Sequence, residues 1–166
     1  VVSDKSGTFS PGEEVLVFGY DLGMNTPGGL GQKISIPAKW AVSCPDTLTL
    51  KEAMTYGTGG LTAALCIQKL GKMGAKPSDG PVAVTGATGG VGSISIALLN
   101  QLGYDVVAFS GKPEQSEKLK ALGASEILNR ETILEVKDAL AGKPKWAHAI
   151  DTLGGDYLTG LLKQVK

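Results

Sequence analysis

The sequence predicts an α/β chain: an incomplete doubly wound parallel sheet, preceded by part of a small β-rich unit. Three observations carry this. A buried strand, a glycine turn and an apolar helix follow one another without a break over residues 82–99. Strand-like and helix-like segments then alternate from Asp105 to Lys166. Before Thr49 the pattern is instead one of short strands punctuated by Gly and Pro. Regular alternation of strand and helix implies right-handed crossovers and a parallel sheet.

Composition narrows the class. The 166 residues suffice for one domain, or for one and part of another. Hydrophobic residues make up 42%, enough for a packed core. Sixteen basic and sixteen acidic residues cancel, with no basic cluster among them. The expected partners therefore include no nucleic acid and no membrane, which leaves a small-molecule substrate. Apolar runs are far too short to span a bilayer. No signal peptide is visible, and Cys44 and Cys66 make no disulfide framework, so a cytoplasmic setting is expected. The chain opens on Val, not Met. Val1-Val2-Ser3 reads as the end of a strand, and residues 161–166 read as the middle of a helix. A piece of a longer protein is the expectation.

In order, Phe9-Ser10-Pro11-Gly12 reads as a turn and residues 14–18 as the strand leading out of it. Gly19-Tyr20-Asp21-Leu22-Gly23 breaks that strand. Residues 33–37 alternate polar and apolar with period two, so a strand with one buried face is expected. Residues 40–45 are another short extended piece. Thr49-Leu50-Lys51-Glu52 has the spacing of a capping box. Helical patterning follows to Gly71, interrupted over residues 57–60, and residues 71–80 read as a surface loop. After the strand at residues 82–85, a helix over 91–102 closes on Gly103. Strand two is 105–109, helix two 113–122, strand three 126–128 and helix three 132–140. Strand four is 147–151 and helix four 158–166. A complete doubly wound dinucleotide sheet has six strands, so four again suggest a cut.

The turn Gly86-Ala87-Thr88-Gly89-Gly90-Val91-Gly92 is the chemical centre. It has no bulk, and it opens a helix whose first-turn N–H groups lack partners and sit at the positive end of the dipole. Such a start suits a pyrophosphate. Against the dinucleotide fingerprint G-x-G-x-x-G, Ala87 takes the first glycine's place, while Gly89 and Gly92 are the second and third. Gly89 lets the backbone approach the pyrophosphate, and Gly92 lets the helix press on the strand. Strand two ends Phe109-Ser110-Gly111-Lys112, with no acid to hold ribose hydroxyls. A hydroxyl, an open amide and a cation stand there instead, which points to NADPH over NADH.

Together with Gly57-Thr58-Gly59-Gly60-Leu61-Thr62-Ala63-Ala64, Leu122-Gly123-Ala124-Ser125-Glu126 and Ala149-Ile150-Asp151-Thr152, these motifs resemble the medium-chain dehydrogenase/reductase superfamily. Within it the chain is most similar to the zinc-independent quinone oxidoreductase-like branch, of YhdH/YhfP and acryloyl-CoA reductase type. The resemblance covers the whole chain but only the middle half of a family member. It implies that residues 1–57 are part of a GroES-like β-rich catalytic domain and 58–166 part of an NADP-binding Rossmann domain. It also implies roles. Thr88, Gly89, Gly90 and Val91 form the pyrophosphate turn. Ser110, Gly111 and Lys112 hold the 2′-phosphate, with lysine where relatives often have arginine. Thr152 lies at the lip of the cofactor cleft, and Thr62 lies under the nicotinamide half.

The implied activity is NADPH-dependent reduction of an activated C=C or a quinone-like enone by hydride transfer, without zinc. Zinc-dependent cousins place a cysteine ligand four residues before the position of Thr62, and Thr58 stands there. His148 reads as an ordinary strand residue with no partner in view, and both cysteines read as small apolar fillers. Catalytic residues stay unassigned; Tyr20 reads as a packing tyrosine. A homodimer is implied for the full-length protein. A nucleotide-binding module without turnover is the competing expectation.

Overall fold

The computed structural model describes residues 1–136 and 143–166. It divides into two compact units, Val1–Thr58 and Gly59–Lys166. In the first unit, β1 (Val15–Val17) pairs antiparallel with β2 (Ala41–Ser43), Val15 facing Ser43. The chain start lies close by: the Val1 amino group donates to the Glu13 carbonyl at 2.6 Å, and the Gly12 N–H donates to the Val1 carbonyl at 2.8 Å. Residues 33–37 form no strand, contrary to their alternation, and Ile34 is partly exposed. Alternation fixes a strand only when a neighbour covers one face. Here Ile34 and Ile36 instead border a recess of about 510 Å³ with Phe9, Val15 and Val17. Tyr20 stacks on Trp40, centroids 4.9 Å apart and planes within 4°.

The capping box forms as its spacing predicts. Thr49 Oγ1 accepts from the Glu52 N–H at 3.2 Å, and Glu52 Oε2 accepts from the Thr49 N–H at 2.8 Å. These bonds open α1 (Leu50–Lys72), whose helical geometry is broken at Gly57 (φ 47°, ψ −148°).

Among the described residues, the second unit has a four-stranded sheet, three α-helices of its own and the latter part of α1. Its strands are β3 (Val82–Val84), β4 (Val106–Ser110), β5 (Glu126–Asn129) and β6 (His148–Ile150). The order is β5-β4-β3-β6 and every pairing is parallel. Its helices are α2 (Gly90–Gln101), α3 (Ser116–Ala121) and α4 (Gly155–Leu162). Both faces of the sheet's middle are covered, so β3 and all of β4 but Ser110 are apolar and buried. Val82, Val84, Val106 and Ala108 pack with Ile96, Leu99 and Leu119 on one side, joined by Cys66, Ile67 and Leu70 of α1. Ala83, Val107 and Phe109 pack with Ile133, Trp146 and Leu161 on the other, where Trp146 meets Phe109 edge-on at 5.4 Å. Among the described residues no helix is long and apolar enough to cross a membrane.

Two helix expectations are corrected. In place of a helix over 132–140, Arg130–Val136 is a 3-10 helix, and residues 137–140 lie outside the described set. Asn129 starts the tighter winding: its side-chain oxygen accepts from the Glu131 N–H at 3.0 Å, while Thr132 Oγ1 donates to the Asn129 carbonyl at 2.7 Å. The last helix runs Gly155–Leu162, so residues 163–166 are not helical. Val165 bridges to Trp146, and the buried Gln164 accepts from the N–H groups of Lys145 and Trp146 at 2.7 and 3.1 Å. Those bonds take the carbonyl that a longer helix would need. His148 is also not without a partner: its Nε2 lies 3.1 Å from Asp79 Oδ2. The Lys76 N–H first, and His148 second, hold the Asp79 carboxyl below its ordinary range.

One core position gives a test. Ser95 on α2 is fully buried, and its hydroxyl has no hydrogen-bond partner among the described residues. A desolvated, unpaired hydroxyl costs about 1–3 kcal/mol, and alanine is the better helix former. Ser95→Ala should therefore raise stability by about 1 kcal/mol, read as a higher midpoint in urea. A lowered midpoint would show that the hydroxyl is bonded in solution.

Candidate functional site

The site lies at the carboxyl ends of the strands. Parallel register puts the segments following β3, β4, β5 and β6 along one edge, where clefts open in doubly wound sheets. A cleft of about 380 Å³ opens there. Its floor is Gly86, Ala87, Thr88 and Gly89 from the turn after β3. Phe109, Ser110, Gly111 and Lys112 come from the end of β4, Arg130 from β5, and Thr152 and Leu153 from β6.

The glycine turn is built for close approach. Gly86 has φ +57°, and a side chain there would strike the Thr152 hydroxyl. A Cβ on Gly92 would fall on the Gly86 carbonyl oxygen and within 2.9 Å of the Ala87 Cα. The helix start therefore sits against the end of β3 with no room to spare. No side chain among the described residues caps α2, and its first-turn N–H groups have no partner within the helix. With Lys112 and Arg130 at the rim, the cleft suits an elongated anion.

A hydrogen-bonded clasp joins β3 to β6 above this floor. The Thr85 hydroxyl donates to Asp151 Oδ1 at 2.5 Å and accepts from the Thr152 N–H at 2.9 Å. Thr152 Oγ1 donates to the Thr85 carbonyl at 3.1 Å. Asp151 Oδ2 accepts from the Gly154 N–H at 2.9 Å. Thr85 is fully buried, while Asp151 is partly exposed. At the other wall, Ser110 Oγ accepts from the Lys112 N–H at 3.0 Å, which fixes the bend after β4.

Of the residues singled out by sequence, Thr88, Gly89, Ser110, Gly111, Lys112 and Thr152 line this one cleft. Gly90 and Val91 form the first turn of α2 beside it. Thr62 lies on α1, exposed, and is not among the lining residues. Sequence reasoning missed Arg130, Thr85 and Asp151. The signal for the last two was the strand register, since Val84 pairs with Ile150 and so puts Thr85 opposite Asp151.

Residues 90–166 match the family model described as zinc-binding dehydrogenase. YhfP of Bacillus subtilis is 45% identical over 166 residues, all of this chain and 50% of its own length. The acrylyl-CoA reductase AcuI of Ruegeria pomeroyi is 40% identical over 158 residues, 95% of this chain and 48% of its own. The crystal structure of E. coli K-12 YhdH with bound NADPH aligns at TM-score 0.94 and 43% identity, covering 98% of this chain and 50% of YhdH. That of YhfP with NAD bound aligns at TM-score 0.96. The chain thus spans about half the length of the relatives it matches. Among the described residues, no group of three or more His, Cys, Asp or Glu side chains is placed to hold a metal ion.

Proposed function

The chain belongs to the medium-chain dehydrogenase/reductase superfamily, in the branch of YhfP and YhdH, and on that premise we propose that it forms the NADPH-binding part of a zinc-independent reductase. The acceptor we propose is an activated carbon–carbon double bond, in an enoyl thioester such as acryloyl-CoA or in a quinone-like enone. The name of the AcuI relative supports the thioester. The observation that carries the cofactor choice is the rim of the cleft, which has a hydroxyl, an open glycine and two cations and no carboxylate.

In this reading residues 1–57 belong to the catalytic domain and 58–166 to the NADP-binding domain. The bound cofactor supplies the hydride. The first-turn N–H groups of α2, reached across Thr88, Gly89, Gly90 and Val91, hold the pyrophosphate. Ser110, Gly111 and Lys112 face the 2′-phosphate. Thr152, fixed by the clasp to Thr85, borders the passage toward the nicotinamide, with Thr62 under that half. A small-molecule substrate, a homodimeric whole protein and a cytoplasmic setting belong to the same reading.

The test is a fluorescence titration of the chain with NADPH and with NADH, followed by acryloyl-CoA or a simple quinone. Tighter binding of NADPH and loss of reduced cofactor are expected. Binding without consumption favours a cofactor-binding part that needs the rest of a full-length relative, a reading supported by the half-length match. Failure to bind either cofactor overturns the proposal.

A further inference from the structure

Just past β1, Gly19 and Tyr20 both take positive φ, +67° and +51°. Tyr20 is the one non-glycine residue to do so among the described residues. Glycine takes that geometry without strain, whereas a bulky side chain there crowds its own backbone. The loop that follows holds Tyr20 in it. The Leu22 N–H donates to the Gly19 carbonyl at 3.3 Å, and the Asp21 carbonyl accepts from the Met24 N–H at 3.0 Å and from Thr26 Oγ1 at 2.9 Å. The phenol ring is thereby laid flat on Trp40, 4.9 Å between centroids and 4° between planes. Trp40 closes the 3-10 turn Ala38–Trp40, its N–H donating to the Pro37 carbonyl at 2.9 Å, and is itself half-buried. Tyr20 nevertheless remains 56% exposed. One face of its ring is backed by indole, and the other is open to solvent.

We propose that the Tyr20 ring, backed by Trp40, is a stacking platform for the adenine of a coenzyme A thioester. This rests on the thioester reading of the substrate and deepens it. A tyrosine kept only for packing would gain by burying both faces, and glycine at this position would relieve the backbone. Here a strained turn instead holds a rigid ring with one face free, and such local strain collects at binding sites. The ring is ordered before any ligand arrives, so little side-chain freedom is lost on binding. Flat heterocyclic bases stack on exposed aromatic rings whatever their edges carry. Adenine is the flat ring of such a thioester, and it lies at the far end of the carrier from the reacting acyl group. A quinone ring, by contrast, must itself meet the hydride and needs donors at its oxygens as charge develops. The platform offers a ring face and a single phenol, which suits a group that is held and not reacted.

The experiment measures coenzyme A binding by calorimetry, with excess NADP+ to fill the cleft and again without it. Pantetheine, which lacks adenine, and menadione serve as comparison probes, and thermal midpoints are taken alongside. Coenzyme A should bind in both conditions, and pantetheine in neither. Tyr20→Gly should weaken coenzyme A roughly tenfold at an unchanged or higher midpoint, while Tyr20→Phe should stay within about twofold of the original chain. A tyrosine that only packs would lower the midpoint in Tyr20→Gly and leave coenzyme A binding alone, which overturns the platform. Coenzyme A binding that NADP+ abolishes overturns it too, as does menadione binding that is lost in Tyr20→Gly while coenzyme A binding survives. Reduction of acryloyl-pantetheine by a chain that binds no coenzyme A overturns the platform and leaves the thioester reading standing. Coenzyme A binding that depends on Tyr20, in a chain that binds no NADP+, supports the platform and overturns the cofactor reading.

Discussion

Gly92→Ala is expected to destabilise the second unit by about 3 kcal/mol, a fall of about 10 °C in its thermal midpoint, and to abolish NADPH binding. The sign is the informative part. Within a helix, Gly to Ala ordinarily gains up to about 1 kcal/mol. Here the added methyl meets the Gly86 carbonyl and the Ala87 Cα, which are backbone and cannot rotate away. The start of α2 must then lift from the end of β3, and the N–H groups facing the cleft lift with it. Calorimetry and the NADPH titration check the two halves separately. A stabilised variant that still binds NADPH would mean that the turn is looser than described.

Asp151→Ala is expected to cost about 3 kcal/mol and to weaken NADPH at least tenfold while the strands remain. Its carboxylate accepts from the Thr85 hydroxyl and from the Gly154 N–H. Truncation strands the hydroxyl of Thr85, which has no access to water. Leaving a buried donor unpaired costs more than losing the bond itself. The lip at Thr152 then loses its anchor, because the hydroxyl that accepts from the Thr152 N–H is free to turn. Asp151→Asn keeps one acceptor oxygen and should recover part of both losses. Urea denaturation and the NADPH titration decide. Equal stability of Asp151→Ala and wild type would remove the clasp from the account.

The sheet was legible because its signals are local. Val82-Ala83-Val84, Val106-Val107-Ala108-Phe109 and the intervening glycines fix strand, turn and helix with little help from distant residues. The glycine turn before α2 was legible for the same reason. What escaped the sequence depends on long-range pairing. Thr85 and Asp151 are 66 positions apart and meet only because β3 lies beside β6. Arg130 reaches the cleft only because β5 lies beside β4 and because Gly111 leaves room. Residues 33–37 failed in the opposite direction, since their alternation describes a strand but cannot supply its neighbour. The last helix was drawn too long because nothing in residues 163–166 announces that Trp146 takes the Gln164 carbonyl.

The cleft draws its walls from four separate loops, each rooted in a different strand of the sheet. Such an arrangement is modular under mutation. A change in the loop after β4 or β5 can retune what the cleft favours without touching the apolar layers that hold the strands. The bend after β3 and the Thr85–Asp151 tie are each shared by more than one wall. Variation among natural homologues should therefore be spread freely around the rim and be rare at those few places.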